Sequence, residues 1–385
     1  KNHILPSPQP RSVCFDKAHA GVIGAMGGGA VDLVAEEVSH EEAKEILMRA
    51  GFQDDSTLLD SKFVGGEGGF GTVVMVGLFA ALGGMLFGLD IGYIAGVESM
   101  PSFTDDVLNG APMDSNTTGM VTGMFALGAV LAALPPVIGA IVDRCGRKGS
   151  ITLGGVVFVL GASSQALAPL FLAPEGSSAR LTWMYIGRFV AGASVGLLSA
   201  NIPIYQGEIA PPSYRGMIVA LYQLAITIGI LIANLLSYVL KDSAHGWSIS
   251  IMVQLIPGLS LALGGPFLPG SPRWYVSKTR RQEAYDTLRR IRSPEDDIRM
   301  ELAQCYKEYE REIQHGTASW GEFCTGMNGR LLGIGIALQM LQQMCGLNMF
   351  MYYGPKIFAQ LFKSSNDSFL FTFLNSIVNM ISTFP

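Results

Sequence analysis

Gln339, Gln342, Gln343, Asn348, Tyr352 and Tyr353 fall within one apolar stretch, residues 331–362. Amides and phenols both donate and accept hydrogen bonds, so such a set is chemically suited to a neutral polyol. At membrane depth these groups are expected to face a bundle interior or a watery cavity. At 100° per residue Gln339, Gln342 and Tyr353 share a helical face with Gln343 nearby, while Asn348 and Tyr352 lie well round the cylinder. A straight helix does not gather them. Gly346, without a Cβ and with little helix preference, is where the segment can bend or unwind to bring both sets to one ligand. The competing reading is polar glue between packed helices, the usual role of a single membrane Gln or Asn. Six such groups between positions 339 and 353 favour the ligand.

Two charges lie inside other apolar stretches. Asp90 stands about eighteen residues into 72–97 and Arg188 about six into 182–205, and consecutive spans run in opposite directions, so at 1.5 Å per residue the two share a depth. Unpaired there, each costs at least a few kcal/mol, roughly, and pairing within one bundle is expected. A second group, Glu208, Arg215 and the turn Asp143-Arg144-Cys145-Gly146-Arg147-Lys148, gathers at the ends of spans on one side. A cluster of opposite charges is expected there.

The elements that must position these residues are membrane helices. Hydrophobic residues make up 49% of the chain and charged residues 15%. With a mean hydropathy of +0.36 this is too apolar for a soluble protein of this length. Eight spans are expected, at 72–97, 117–142, 151–172, 182–205, 217–240, 249–268, 331–362 and 369–384. The basic turn and the link carrying Arg273, Lys278, Arg280, Arg281, Arg289, Arg290 and Arg292 are cytoplasmic by the positive-inside rule. The link holding Glu98, Asp105, Asp106 and Asp114 is then outside, and the amino terminus is cytosolic. Sequons at Asn116-Thr117-Thr118 and Asn366-Asp367-Ser368 agree in side.

Residues 1–70 read as an acidic cytosolic tail without a signal peptide. Ser39 and Glu42 form a capping box, Glu45 and Arg49 an i,i+4 pair, and Gly51 a stop, which predicts one short solvated helix. The stretch beginning at Met26 resembles a natural start, so 1–25 reads as upstream sequence. Gly66-Glu67-Gly68-Gly69-Phe70-Gly71 matches G-x-G-x-x-G, yet it runs straight into a span instead of joining a strand to a helix. It is read as a flexible hinge. Cys14, Cys145, Cys305, Cys324 and Cys345 show no CxxC or Cys/His spacing. His3, His19, His40, His245 and His315 sit in tails or loops. No enzyme chemistry, cofactor or metal is indicated.

The basic turn, Gly187-Arg188 with Tyr205, Glu208 and Arg215-Gly216, the segment Pro269-Gly270-Ser271-Pro272-Arg273-Trp274, and Gln342-Gln343-x-x-Gly346-x-Asn348-x-x-x-Tyr352-Tyr353 occur in one order. Together they resemble the sugar porter family of the major facilitator superfamily, most of all fungal hexose transporters. The resemblance implies an all-α membrane protein of the major facilitator fold. Its parts are a six-helix amino-terminal half at 71–270, a cytoplasmic helical linker at 271–330 and the first two helices of a carboxy-terminal half at 331–385. It implies that Gln223, Gln342, Gln343, Asn348 and Asn379 bind the sugar and that Tyr352 and Tyr353 gate it. Asp90 is matched to the proton-coupling carboxylate with Arg188 as its partner, and Arg144, Arg147, Glu208, Arg215 and Arg273 to a cytoplasmic salt-bridge network.

The chain departs from the family twice. Gly270 stands where the family usually has glutamate, which leaves the network short of one anchor. The chain also ends in the eighth span of twelve, and reads as truncated. The implied function is alternating-access transport of a monosaccharide with a proton across the plasma membrane; a facilitator without coupling and a non-transporting sensor are the alternatives. Expected partners are the sugar, protons and the lipid bilayer, with no nucleic acid and a monomeric state.

Overall fold

Glycine spacing sets a close helix pair at the centre of the fold. Helix α2 (Phe70–Val97) follows α1 (His40–Arg49) and carries a single charge, Asp90, in 28 residues. Gly84, Gly88, Gly92 and Gly96 recur every fourth residue on one face, and a Cβ added at these positions would strike Tyr222, Ile226, Ala233 and Ser237 respectively. All four of those neighbours belong to one helix, Arg215–Leu240. Small residues let two membrane helices approach until their backbones touch, which is how helices pack when lipid offers no hydrophobic drive.

The computed structural model describes residues 38–53, 58–59, 61, 63–167, 169, 179–315, 326–361 and 365–383. The readings on Met26, Cys14, Cys324, His3, His19 and residues 1–25 lie outside the described residues. The chain divides into Lys1–Ser39 and His40–Pro385, and the description concerns the second.

After the short α3 (Pro101–Leu108), α4 (Ser115–Ala133) starts on Asp114, whose carboxylate accepts from the Thr117 amide at 2.8 Å. Leu134 leaves helical geometry and Pro135 opens α5 (Pro135–Ala166). Within α5 the basic turn appears as a kink at Gly146, with φ 73° and ψ 172°, where the second crossing ends and the third begins. Then come α6 (Ala179–Ile209), α7 (Arg215–Leu240), α8 (Gly246–Met252) and α9 (Leu255–Gly264), the last two making one crossing with the 3₁₀ turn Gly265–Phe267. Among the described residues six helices are long and apolar enough to cross a membrane, and they account for the expected first six spans.

Three linker helices follow, α10 (Pro272–Ser277), α11 (Arg281–Ile291) and α12 (Ile298–His315), and then α13 (Gly326–Met344), α14 (Leu347–Leu361) and α15 (Ser365–Thr383). The expected seventh span is not one helix. It is interrupted at Cys345 and Gly346, with Gly346 at φ +71°, a backbone conformation that only glycine adopts at little cost. None of α13, α14 and α15 is in the membrane-crossing set: six of the eight expected spans are matched by helices long and apolar enough to cross, the seventh is the two helices α13 and α14, and the eighth is the single helix α15. α14 packs on α2, and α15 on α7, where Asn234 donates to Ser376 Oγ at 2.7 Å. α13 is exposed along nearly its whole length.

The tail departs from expectation. α1 is not solvated: Ala43, Ile46 and Leu47 form an i, i+3, i+4 face buried against α12. Arg49 pairs with Glu310 at 3.6 Å rather than with Glu45, and Lys307 with Glu42 at 2.9 Å. The glycine run before α2 is no hinge either. The Gly66 amide donates to Ser293 O at 3.0 Å, the Glu67 amide to Arg289 O at 2.7 Å, and the Ile298 amide to Val64 O at 3.0 Å. A Cβ on Gly66 would collide with the Arg292 carbonyl. Glycine is there for close backbone approach, and the segment forms one layer with the linker.

Candidate functional site

Asp90 lies on the apolar helix α2 and Arg188 on α6, and the antiparallel run of the two brings them to one level. Arg188 Nη1 donates to Asp90 Oδ2 at 2.6 Å, and both side chains are fully buried. The same Nη1 donates to Tyr93 Oη at 3.0 Å, Tyr93 donates to Gln165 Oε1 at 2.6 Å, and Arg188 Nε donates to Val121 O at 3.2 Å. The guanidinium carbon sits 4.5 Å from the centroid of the Phe125 ring, within cation–π range. Asp90 Oδ1 accepts no hydrogen bond from the described residues, which leaves one carboxylate oxygen able to carry a proton. The expected pairing is therefore present, and Tyr93, one helical turn along from Asp90, extends it to Gln165.

On the linker side Arg147 holds Glu208 through Nε to Oε2 and Nη2 to Oε1, both at 3.0 Å. Two parallel bonds between a guanidinium and a carboxylate fix orientation as well as charge. Asn201 donates to the Arg147 carbonyl at 2.8 Å, so the residue is held from both its ends. The wider network does not assemble as expected. Arg144 and Arg215 are exposed, with no ion pair to either among the described residues. Arg273 pairs with Glu308 of the linker at 2.9 Å instead of joining Glu208. At Gly270 a Cβ would run into the Tyr275 ring, so the space of the missing family glutamate is already filled.

The amides are only partly gathered. The break at Gly346 brings Asn348 Nδ2 to Gln343 Oε1 at 2.7 Å, which joins one residue from each side of the break. Gln339 and Gln342 are exposed on α13, Gln223 is exposed on α7, and Asn379 is half-buried on α15 with its backbone carbonyl accepting from Ser382 and Thr383 at 2.9 Å. Tyr353 is half-buried. Tyr352 packs against the core of the first six helices.

Residues 76–385 match the family model described as sugar (and other) transporter. The chain belongs to that family. It is a multi-pass membrane protein. A galactose-proton symporter of Escherichia coli (strain K12) is 34% identical over 311 residues, covering 79% of this chain and 61% of the relative. A probable glucose transporter of Neurospora crassa is 33% identical over 325 residues, covering 81% of this chain and 52% of the relative. A partially occluded, inward-open structure of the xylose transporter XylE from E. coli matches with 25% identity and a TM-score of 0.64, over 80% of this chain and 71% of that one. The chain thus spans about three-fifths of the length of the galactose relative.

Within this transporter fold, one polar contact escaped the sequence reading. Lys356 of α14 donates to Glu98 Oε2, just past α2, at 2.8 Å and to Thr118 Oγ1 of α4 at 2.9 Å. A lysine inside an apolar stretch was the available signal. In the sequence Glu98 reads as one of four acids in an outside link. Arg292, counted above among the cytoplasmic positive charges, is likewise buried, donating from Nε to Glu301 at 2.6 Å and from Nη1 to Ile209 O at 2.6 Å.

Proposed function

We propose that the protein carries a hexose-type monosaccharide across the plasma membrane by alternating access, with a proton as co-substrate. The observation that carries this reading is the fully buried Asp90–Arg188 pair, set in a chain of the sugar transporter family. A carboxylate there either keeps its arginine or takes a proton and releases it, and the two states bias the halves differently. Coupling requires such a differential, because a ligand with equal affinity for both conformations shifts nothing. That relatives are named galactose-proton and arabinose-proton symporters supports the same reading.

In this reading Gln223, Gln342, Gln343, Asn348 and Asn379 hydrogen-bond the sugar near the bilayer midplane, Tyr352 and Tyr353 gate it, and the linker and amino terminus face the cytosol. α13 to α15 open the second half, and the protein acts as a monomer. Arg147–Glu208 holds the cytoplasmic side of the first half, with Arg273–Glu308 as a separate tie to the linker.

The test is uptake of radiolabelled hexoses by cells expressing the protein and lacking their own hexose carriers. Accumulation above the equilibrium level that collapses with a protonophore supports symport. Uptake that stops at equilibrium and ignores external pH turns the reading to a facilitator, and sugar binding without uptake to a sensor.

A further inference from the structure

Among the described residues, one ion pair joins the two halves at the end of the helical bundle remote from the linker. α2 enters from the linker layer at Phe70, and its 28 residues span about 42 Å, so Glu98 just beyond Val97 lies at the opposite end. Its side chain is 1% exposed. A carboxylate so enclosed is costly unless paired, and the partner comes from the other half: Lys356, on α14 beyond the Gly346 break. The same ammonium reaches Thr118 on α4, so one side chain ties α14 to the ends of two helices of the first half. One turn away Met351 is buried in the first half's core and Tyr352 packs on it. α14 therefore lies over that core as a lid. α13, on the linker side of the same break, is exposed nearly throughout.

We infer that Glu98 and Lys356 form a latch that holds the remote end of the transport pathway shut, and that opening to that side requires the pair to part. The inference rests on the alternating-access reading for its role in transport. The closed form gains the charge-assisted bonds, whereas in the open form both groups return to water. Removing either partner withdraws that gain from the closed form alone. Taking away Lys356 does more, because it leaves a buried carboxylate uncompensated and so favours exposing it. Gly346 supplies the pivot, since α14 is covalently continuous with α13 only through a residue already outside helical geometry. Lys356 is thus a positioning residue for the gate and no ligand of the sugar.

The experiment follows the accessibility of a cysteine placed at the closed interface, Met351→Cys, in the chain reconstituted in lipid nanodiscs, where a maleimide reaches both faces. Labelling is read as the increment over the chain without that cysteine, and it needs no sugar, so it stands or falls separately from uptake. Glu98→Gln is expected to raise the labelling rate about tenfold, the effect of losing roughly one charge-assisted bond from the closed form, and Lys356→Gln to raise it further. The exchange Glu98→Lys with Lys356→Glu is expected to return it toward the parent rate. Unchanged labelling in the single variants, or an exchange as fast as either single, overturns the latch. Should Lys356→Gln fail to insert, Glu98→Gln, which leaves no charge buried, decides together with the exchange. Failed uptake with intact latch behaviour rejects the transport reading and leaves the latch standing.

Discussion

Arg188 and Asp90 meet at 2.6 Å with neither side chain touching solvent, and the aspartate keeps one oxygen free of protein donors. Asp90→Asn preserves shape and hydrogen bonding while removing the charge and its titration. Accumulation against a gradient is expected to vanish, while exchange of labelled sugar across the membrane stays measurable. Arg188 keeps Tyr93 and the Val121 carbonyl in this variant, so the helices remain joined. A merely architectural ion pair predicts the opposite: a misfolded variant or one without sugar binding, and parent uptake indifferent to protonophores.

The bidentate Arg147–Glu208 pair separates two groups of arginines that look equivalent on paper. Arg147→Gln and Glu208→Gln should lower transport by similar factors at unchanged surface expression, about tenfold for the loss of roughly 1.5 kcal/mol of charge-assisted bonding. Arg144→Gln and Arg215→Gln, at exposed positions, should stay within about twofold of the parent, as exposed charges contribute little. Equal losses across all four would mean that net charge at the membrane edge matters more than the pairing.

The fold was legible wherever a single property repeats. Uninterrupted apolar runs gave the six crossings, and the depth argument placed Asp90 opposite Arg188 because helix rise is constant. The seventh span was harder. Its hydropathy continues through Cys345 and Gly346, so the glycine marks where the segment can bend, and backbone geometry shows that the helix stops there altogether. Partner choice among the charges was least legible, since the resemblance sets Arg273 with the basic turn and Glu208 and yet it reaches Glu308 of its own linker. Similarly, α1 reads as solvated because its charges outnumber its apolar residues, and its docking on α12 depends on a surface that does not exist until the linker folds.

Restoring the family's glutamate at position 270 is expected to damage the protein rather than repair its gate. Any Cβ at Gly270 meets the Tyr275 ring, and the neighbouring Tyr205 hydroxyl already donates to the Pro269 carbonyl at 2.8 Å. Overpacking of this kind costs about 1–3 kcal/mol. Gly270→Glu should therefore lower the thermal midpoint measured in detergent, and Gly270→Glu with Tyr275→Ala should recover it. A stable single variant with improved transport would show that Tyr275 moves aside freely.

Gln343 and Asn348 bond each other across the break at 2.7 Å, so in a sugar site they would act as one unit. Gln343→Ala should raise the apparent KM for sugar several-fold, the equivalent of about 0.5–1.5 kcal/mol for one bond to a neutral partner. The double alanine variant should lose less than the sum of the two single effects, because each single change already disturbs the shared bond. Unchanged affinity in correctly inserted variants would return both residues to helix packing.

Cys305 provides a test of the linker layer that needs no transport assay. Its thiol is pushed up to about 12, first by the packing around α12 and then by the carboxylate of Glu301, with Arg273 opposing. Because the thiolate is the nucleophile, maleimide at neutral pH should modify Cys305 at least about tenfold more slowly than Cys145, which is exposed. The direction of the shift also fixes a pH dependence. A thiol whose folded value lies above its unfolded value of 9.0 contributes stability that is full below about 9 and is lost as pH rises toward about 12. The packing of α12 within the linker should accordingly loosen in that alkaline window, read as faster proteolysis of the linker, and Cys305→Ala should remove that dependence. Equal labelling of Cys145 and Cys305 in the folded chain would mean that α12 does not hold this residue in its packed layer.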